Sequence, residues 1–174
     1  MRISFTGYTF DCTVEGDVEL TRPRLSDQLN EDEYLLVLNA TLRSLFDGSV
    51  VSIESMELER EAIYAIQAPD PRGATSRRVH TVRHRRGATV GPYTLLGLLH
   101  ERPGVTPLGA LRISRPFVAF TDATIAFLRD GQVEMRDCET LIVNGRRVDW
   151  LGDASTAAAR IAQDRASTEL AQPA

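Results

Sequence analysis

Hydrophobic and polar positions along this chain alternate in short stretches broken by turn residues, which is the pattern of β-strands. RISFTGYTF (2–10) opens in this way, and GDVEL (16–20), YLLVLNATL (34–42) and MELER (56–60) continue it. Asp47-Gly48 and Asp130-Gly131 each sit between such runs and suit two-residue type I′ hairpins; Asn144-Gly145 gives the same signal again. AIYAI (62–66) and RRVDW (146–150) predict short closing strands. In ELERE (57–61), Glu57, Glu59 and Glu61 alternate against Leu58 and Arg60, as on the solvated face of a strand.

Two helical turns are predicted between the strands. In RLSDQLN (24–30), Ser26 or Asp27 suits a cap. In PYTLLGLLH (92–100), Pro92 suits an early helical position, Leu95, Leu98 and Leu99 share a face, and His100 suits the helix C-terminus. After Gly152 the Ala-rich DASTAAARIAQDRASTELAQPA predicts a short helix, capped by Asp153 or Ser155, that frays into a disordered tail.

The chain also repeats itself. VLNATLRSLFDGSVVSI (37–53) and FTDATIAFLRDGQVEMR (120–136), 83 positions apart, share Ala40/Ala123, Thr41/Thr124, Leu45/Leu128, Asp47/Asp130, Gly48/Gly131 and Val50/Val133. Downstream, LEREAIYAI (58–66) and VNGRRVDWL (143–151) align with a further shift of two. Upstream, RLSDQLN aligns with TLLGLLH at an offset of 70, leaving ERPGVTPLGALRIS (101–114) as an insertion. A duplicated unit follows: residues 1–67, a turn-rich linker at 68–76, a second unit at 77–152, and a tail at 153–174. The expected fold is mainly β, with two small β-barrel or β-meander units, Sm-like or SH3-like, plus short helical turns and a C-terminal helix or tail. Each unit alone has a thin core, so the two are expected to pair their apolar faces about a pseudo-twofold.

GDVEL, then YLLVLNATL, then MELER followed directly by AIYAI resembles the bent strands of an Sm-like small β-barrel. That resemblance implies a chain closed by an Arg-containing turn and a short apolar strand. It transfers no RNA-binding residue, because the family's Asp-and-Asn loop has no counterpart here, and its Arg-Gly turn stands as Arg60-Glu61 and Gly145-Arg146. RLSDQLN with YLLVLNA also resembles an uncharacterised bacterial domain family over roughly residues 18–66, with no known activity.

Charge adds a partition that the net −4 conceals. Residues 1–75 carry a net −8, residues 76–100 carry +5 with all three histidines, and residues 101–174 carry −1. Arg77, Arg78, Arg83, Arg85 and Arg86 form a basic island without an intervening acid. Such a run suits phosphate binding by charge and bidentate hydrogen bonds. A strand would split it between two faces, and no aromatic is interleaved for base stacking. Docking against the acidic first unit is the favoured alternative. His80 and His84 lie four apart, too few ligands for a closed zinc site and surrounded by cations.

All 20 basic residues are arginine, which removes lysine Schiff-base and P-loop chemistry; no GxSxG motif occurs either. Cys12 and Cys138 form no CxxC pair and build no disulfide framework. No cofactor or metal is expected, nor an apolar run long enough to span a bilayer. The N-terminus does not read as a signal peptide, which points to the cytoplasm. The sequence therefore predicts a non-catalytic interaction or self-assembly module, a homo-oligomer of two or more chains. Two other readings remain open: nucleic-acid binding through Arg77–Arg86, and a small-ligand or enzyme site between the units under the 101–116 loop.

Overall fold

The computed structural model describes residues 1–67, 81–101, 103–104 and 116–171. The expected 68–76 linker, Arg77, Arg78, His80 and most of the 101–116 loop lie outside them. Ten strands form one antiparallel sheet: β1 (Arg2–Tyr8), β2 (Cys12–Glu19), β3 (Tyr34–Ser44), β4 (Val50–Glu59), β5 (Ala65–Gln67), β6 (Val82–Val90), β7 (Tyr93–Glu101), β8 (Phe117–Arg129), β9 (Gln132–Asn144) and β10 (Val148–Asp153). Helix α1 (Leu25–Glu31) lies between β2 and β3, and α2 (Ala154–Ala171) follows β10. Short 3-10 turns, Arg60–Ala62 and Gly145–Arg147, precede β5 and β10. The strand order is β10-β6-β7-β8-β9-β5-β1-β2-β3-β4. The mainly β expectation therefore holds, but the sheet is open rather than a closed barrel, with β10 and β4 at its ends.

Alternation explains both cores. Ile3, Phe5, Val14, Val18, Leu35 and Val37 turn to one cluster, joined by Ile66 and Ile142. Tyr93, Leu95, Phe120 and Ile125 build the other, joined by Tyr8, Ala65, Leu141 and Val143. At β5 neighbouring residues point opposite ways, so Ala65 enters one core and Ile66 the other. Each fully buried apolar side chain of this size contributes about 1.5–3 kcal/mol.

The two halves use their hydrogen bonding alike. The β2–β3 register shifts between Glu15 and Asp17, and the β7–β8 register between Leu96 and Leu98. Asn39 and Asp122 adopt positive φ there, 52° and 47°. Gly48 and Gly131 do so at the following turns, 68° and 69°.

Several local expectations need correction. PYTLLGLLH is strand β7, not a helical turn: Tyr93, Leu95, Gly97, Leu99 and Glu101 alternate inward, and Pro92 sits in the tight turn after Gly91. His100 is accordingly a strand residue. RLSDQLN is helical, so its alignment with TLLGLLH fails; the α1 cap is Arg24, without a side-chain cap bond. Asp130-Gly131 makes the expected two-residue hairpin, with Arg129 opposite Gln132. Asp47-Gly48 lies in a longer loop closed by Ser44 N–H donating to the Ser49 carbonyl at 2.9 Å. Asn144-Gly145 makes no hairpin, because Asn144 Oδ1 caps the 3-10 turn by accepting from Arg146 N–H at 3.1 Å. Helix α2 is 18 residues long, not short. The halves meet through β5 on β9, two unlike strands, whereas a pseudo-twofold would pair like with like.

Because Gly131 holds φ near 69° in a two-residue turn, Gly131→Ala is expected to cost about 1 kcal/mol. Urea unfolding with an unchanged slope checks it.

Candidate functional site

The chemistry-bearing residues gather in three places: the junction of the halves and the two ends of the sheet. At the junction, Ala65, Ile66 and Gln67 stand opposite Val143, Ile142 and Leu141. Beside them, buried Asn144 donates from Nδ2 to the Ile63 carbonyl at 3.0 Å. Arg146 pairs with Glu61 at 3.2 Å, and Arg147 donates twice to the Glu61 carbonyl, at 3.1 and 2.6 Å. Arg136 bridges to Glu15 at 3.1 Å. Arg129 is buried: Nη2 donates to Thr13 Oγ1 at 2.9 Å, Nε lies 3.4 Å from Glu134, and the guanidinium stacks over Phe127. Burial holds its pKa below the usual arginine range, while Glu134 opposes that shift. The Glu134 and Phe127 contacts hold Arg129 in place within the second half, and the others fasten one half to the other, a structural task.

The β10 end carries what the structure describes of the basic island. Arg83 and Arg85 lie exposed on β6. Arg86 pairs with Asp153 on β10 at 3.5 Å. His84 Nε2 lies 3.7 Å from the buried carboxylate of Glu101. These partners belong to the same end of the sheet, and β3 and β4 lie at the other. His100 Nε2 lies 2.8 Å from Thr121 Oγ1; burial, helped by Arg83, lowers its pKa. Among the described residues, no group of three or more His, Cys, Asp or Glu is arranged to hold a metal. Of the sequence-predicted residues, Arg83, Arg85 and Arg86 share one strand, whereas Asp47/Gly48, Asp130/Gly131 and Asn144/Gly145 shape separate turns.

The β4 end is different. β4 pairs with β3 along one edge only; its other edge ends the sheet. Val50, Val51 and Ile53 are exposed, with Val51 at 56%, and Phe46 at the loop tip reaches 73%. On the paired stretch, Tyr34 faces Glu59 and Leu36 faces Glu57, and both apolar partners are half exposed. Leu58 turns to the core at 4%. A hollow of about 460 Å³ is lined by Glu33, Tyr34, Glu57, Glu59, Arg60 and Glu61. The surface is thus a strand edge with apolar side chains and a carboxylate rim. Large apolar exposure rimmed by polar groups marks interaction surfaces. Sequence reading found the solvated glutamates but missed the edge, since alternation alone does not say which strand ends a sheet.

Both thiols are held unreactive. Burial pushes the Cys138 thiol up to about 11 and raises that of half-buried Cys12. Since the thiolate is the nucleophile, neutral-pH alkylation is expected to be slow at both, and to reach Cys12 before Cys138. Intact-mass measurement after timed maleimide pulses checks the order; equal rates would contradict it.

Comparison with protein-family models, curated proteins and solved structures finds no match. No family or relative therefore indicates catalysis. None of the described helices is long and apolar enough to cross a membrane.

Proposed function

We propose that the chain is a non-catalytic interaction or self-assembly module, made of two copies of one small β unit and working through the open edge of β4. The units are residues 1–67 and 77–152, joined at 68–76 and followed by 153–174. Support for two copies comes from register. Pairing of β1 with β2 maps onto that of β6 with β7 at an offset of 81, so Arg2–Glu19 becomes Arg83–His100. The β3 positions map onto β8 at 83, and β4, the 3-10 turn and β5 map onto β9, Gly145–Arg147 and β10 at 85. The Sm-like order, with an Arg-containing turn before a short closing strand, fits both units.

One observation carries the functional reading: the surface that β9 buries under β5 is open on its counterpart β4. Leu141, Ile142 and Val143 are each at most 1% exposed; of their counterparts, Leu58 stays in the core at 4%, but Met56 is half buried and Glu57 exposed. An unpaired strand edge bearing exposed apolar side chains is a template for another strand. The test is amide hydrogen exchange of the full chain, across a concentration series and with extended peptides selected for binding. Protection gained at residues 50–59 supports the reading. A chain that stays monomeric, and whose selected ligands leave 50–59 untouched, overturns it.

Exposed Arg83 and Arg85 favour a second reading, nucleic-acid binding. Single-stranded RNA is nevertheless expected to bind no better at low salt than at high salt, because Arg86 and His84 on the other face already meet Asp153 and Glu101. A steep rise in affinity at low salt, measured by fluorescence anisotropy, would reverse the order of the two readings.

A further inference from the structure

We propose that the β4 edge takes an extended basic strand from another protein, one with Arg or Lys opposite Glu57 and Glu59 and apolar residues between them. This rests on the interaction-module reading and supplies its partner. The junction within the chain shows how such an edge is filled: β5 lays Ile66 against Ile142, flanked by Ala65 on Val143 and Gln67 on Leu141. The β4 counterparts of Val143, Ile142 and Leu141 are Leu58, Glu57 and Met56. The apolar flanks are kept on the core side, but the central position has become a carboxylate, and Glu59 lies two residues on. Among the described residues, neither Glu57 nor Glu59 has an ion-pair partner. A strand seated here as β5 sits on β9 would bring an aliphatic side chain onto Glu57, unless that position were basic. Opposite charges facing each other across strands stabilise the pair, and like charges destabilise it.

A second copy has two free edges, and neither fits. Its β4 carries the same glutamates, and its β10, the counterpart of β5, would bring Leu151 onto Glu57 and Asp149 beside Glu59. That meeting buries one carboxylate against an aliphatic chain and sets two acids together. The apolar side chains Tyr34 and Leu36, which stand opposite Glu59 and Glu57 on β3, offer additional area to the stems of Arg or Lys.

The experiment titrates the full, isotope-labelled chain with short acetylated peptides that alternate Val with Arg or Val with Glu. A third peptide is the Val–Arg sequence with a central proline, which cannot complete a strand ladder. The Val–Arg peptide is expected to shift the amides of residues 50–59 and to bind about tenfold more tightly than Val–Glu. High salt should weaken it, and proline should abolish binding. In the Glu57→Lys/Glu59→Lys chain the preference should invert; both positions are exposed, so the fold is retained. Equal or tighter binding of Val–Glu overturns the proposal, as do shifts confined to β10. Protection of 50–59 by a second copy at rising concentration, with no peptide effect, also overturns it but leaves the interaction-module reading intact. With neither peptide nor second copy on β4, both fall.

Discussion

Replacing Asn144 with alanine is expected to lower the unfolding free energy by about 3 kcal/mol, seen as a lower urea midpoint at constant slope. Asn144 is fully buried where the halves meet. Its backbone N–H donates to the Tyr64 carbonyl at 2.9 Å, and alanine keeps that bond. Alanine loses the two made by the side chain, to the Ile63 carbonyl at 3.0 Å and from Arg146 N–H at 3.1 Å. A buried polar group left without a partner costs about 1–3 kcal/mol. Two backbone groups are orphaned at once, one on each half, so the loss is concentrated at the junction. Hydrogen exchange should show faster opening of β5 and β10 in the variant. A loss below about 1 kcal/mol would mean that water enters and replaces the amide.

Gly16→Val carries a comparable penalty for a different reason. A Cβ built at Gly16 falls 2.7 Å from Val37 Cγ1, 2.9 Å from the Leu38 carbonyl oxygen and 3.4 Å from Ala40 Cα. The first neighbour can rotate away, but the second is backbone of the strand paired with it, so the β2–β3 crossing must spread. Overpacking of this kind costs about 3 kcal/mol or more, which corresponds to roughly 10 °C in melting temperature for a chain of this size. Gly97, its counterpart in the second half, has its nearest neighbours at 3.1–3.2 Å, at Ala123 and the Thr121 carbonyl. Gly97→Ala should therefore cost less than Gly16→Ala. Thermal unfolding of the two alanine variants checks the order.

Both glycines stand beside the positive-φ residues Asn39 and Asp122, and part of this was readable from residue spacing. The 83-residue offset found from shared turn residues is the separation of those two positions, and the further shift of two runs through the 3-10 turns. What failed was local. Leu95, Leu98 and Leu99 fit a helical face as well as a strand, and the inward glutamate at 101 disguised the alternation that decides the matter. Asn144-Gly145 carries a hairpin dipeptide, yet β9 and β10 are not neighbours in the sheet, so there is no hairpin to close. The Asp47 carboxylate is held down to about 2 by hydrogen bonds from Ser44 and Ser49, which fasten a longer loop than Asp-Gly alone suggests. Length misled at the C-terminus too. Among the residues of α2 whose burial is described, Ala157 and Ile161 are the buried ones, so alanine propensity rather than an amphipathic stripe sustains its turns. The β4 edge was missed for a deeper reason. β4 alternates Met56, Glu57 and Leu58 where β9 runs Leu141, Ile142 and Val143, but a continuous apolar run marks a strand covered on both faces only once the sheet order shows that β9, and not β4, receives a three-residue strand from elsewhere.

That three-residue strand also dictates an order of events. β5 reaches back to β1 across roughly sixty residues and forward to β9 across roughly seventy-five. It offers only three residues to each partner, too few to hold on one side alone. Its docking is expected to wait until the hairpin that contains β9 has formed, so in pulse-labelled refolding the amides of Ala65–Gln67 should gain protection after those of β8 and β9. The same short segment joins the fate of the two halves: heat or denaturant should take them apart in one cooperative transition, with no stage at which one survives the other.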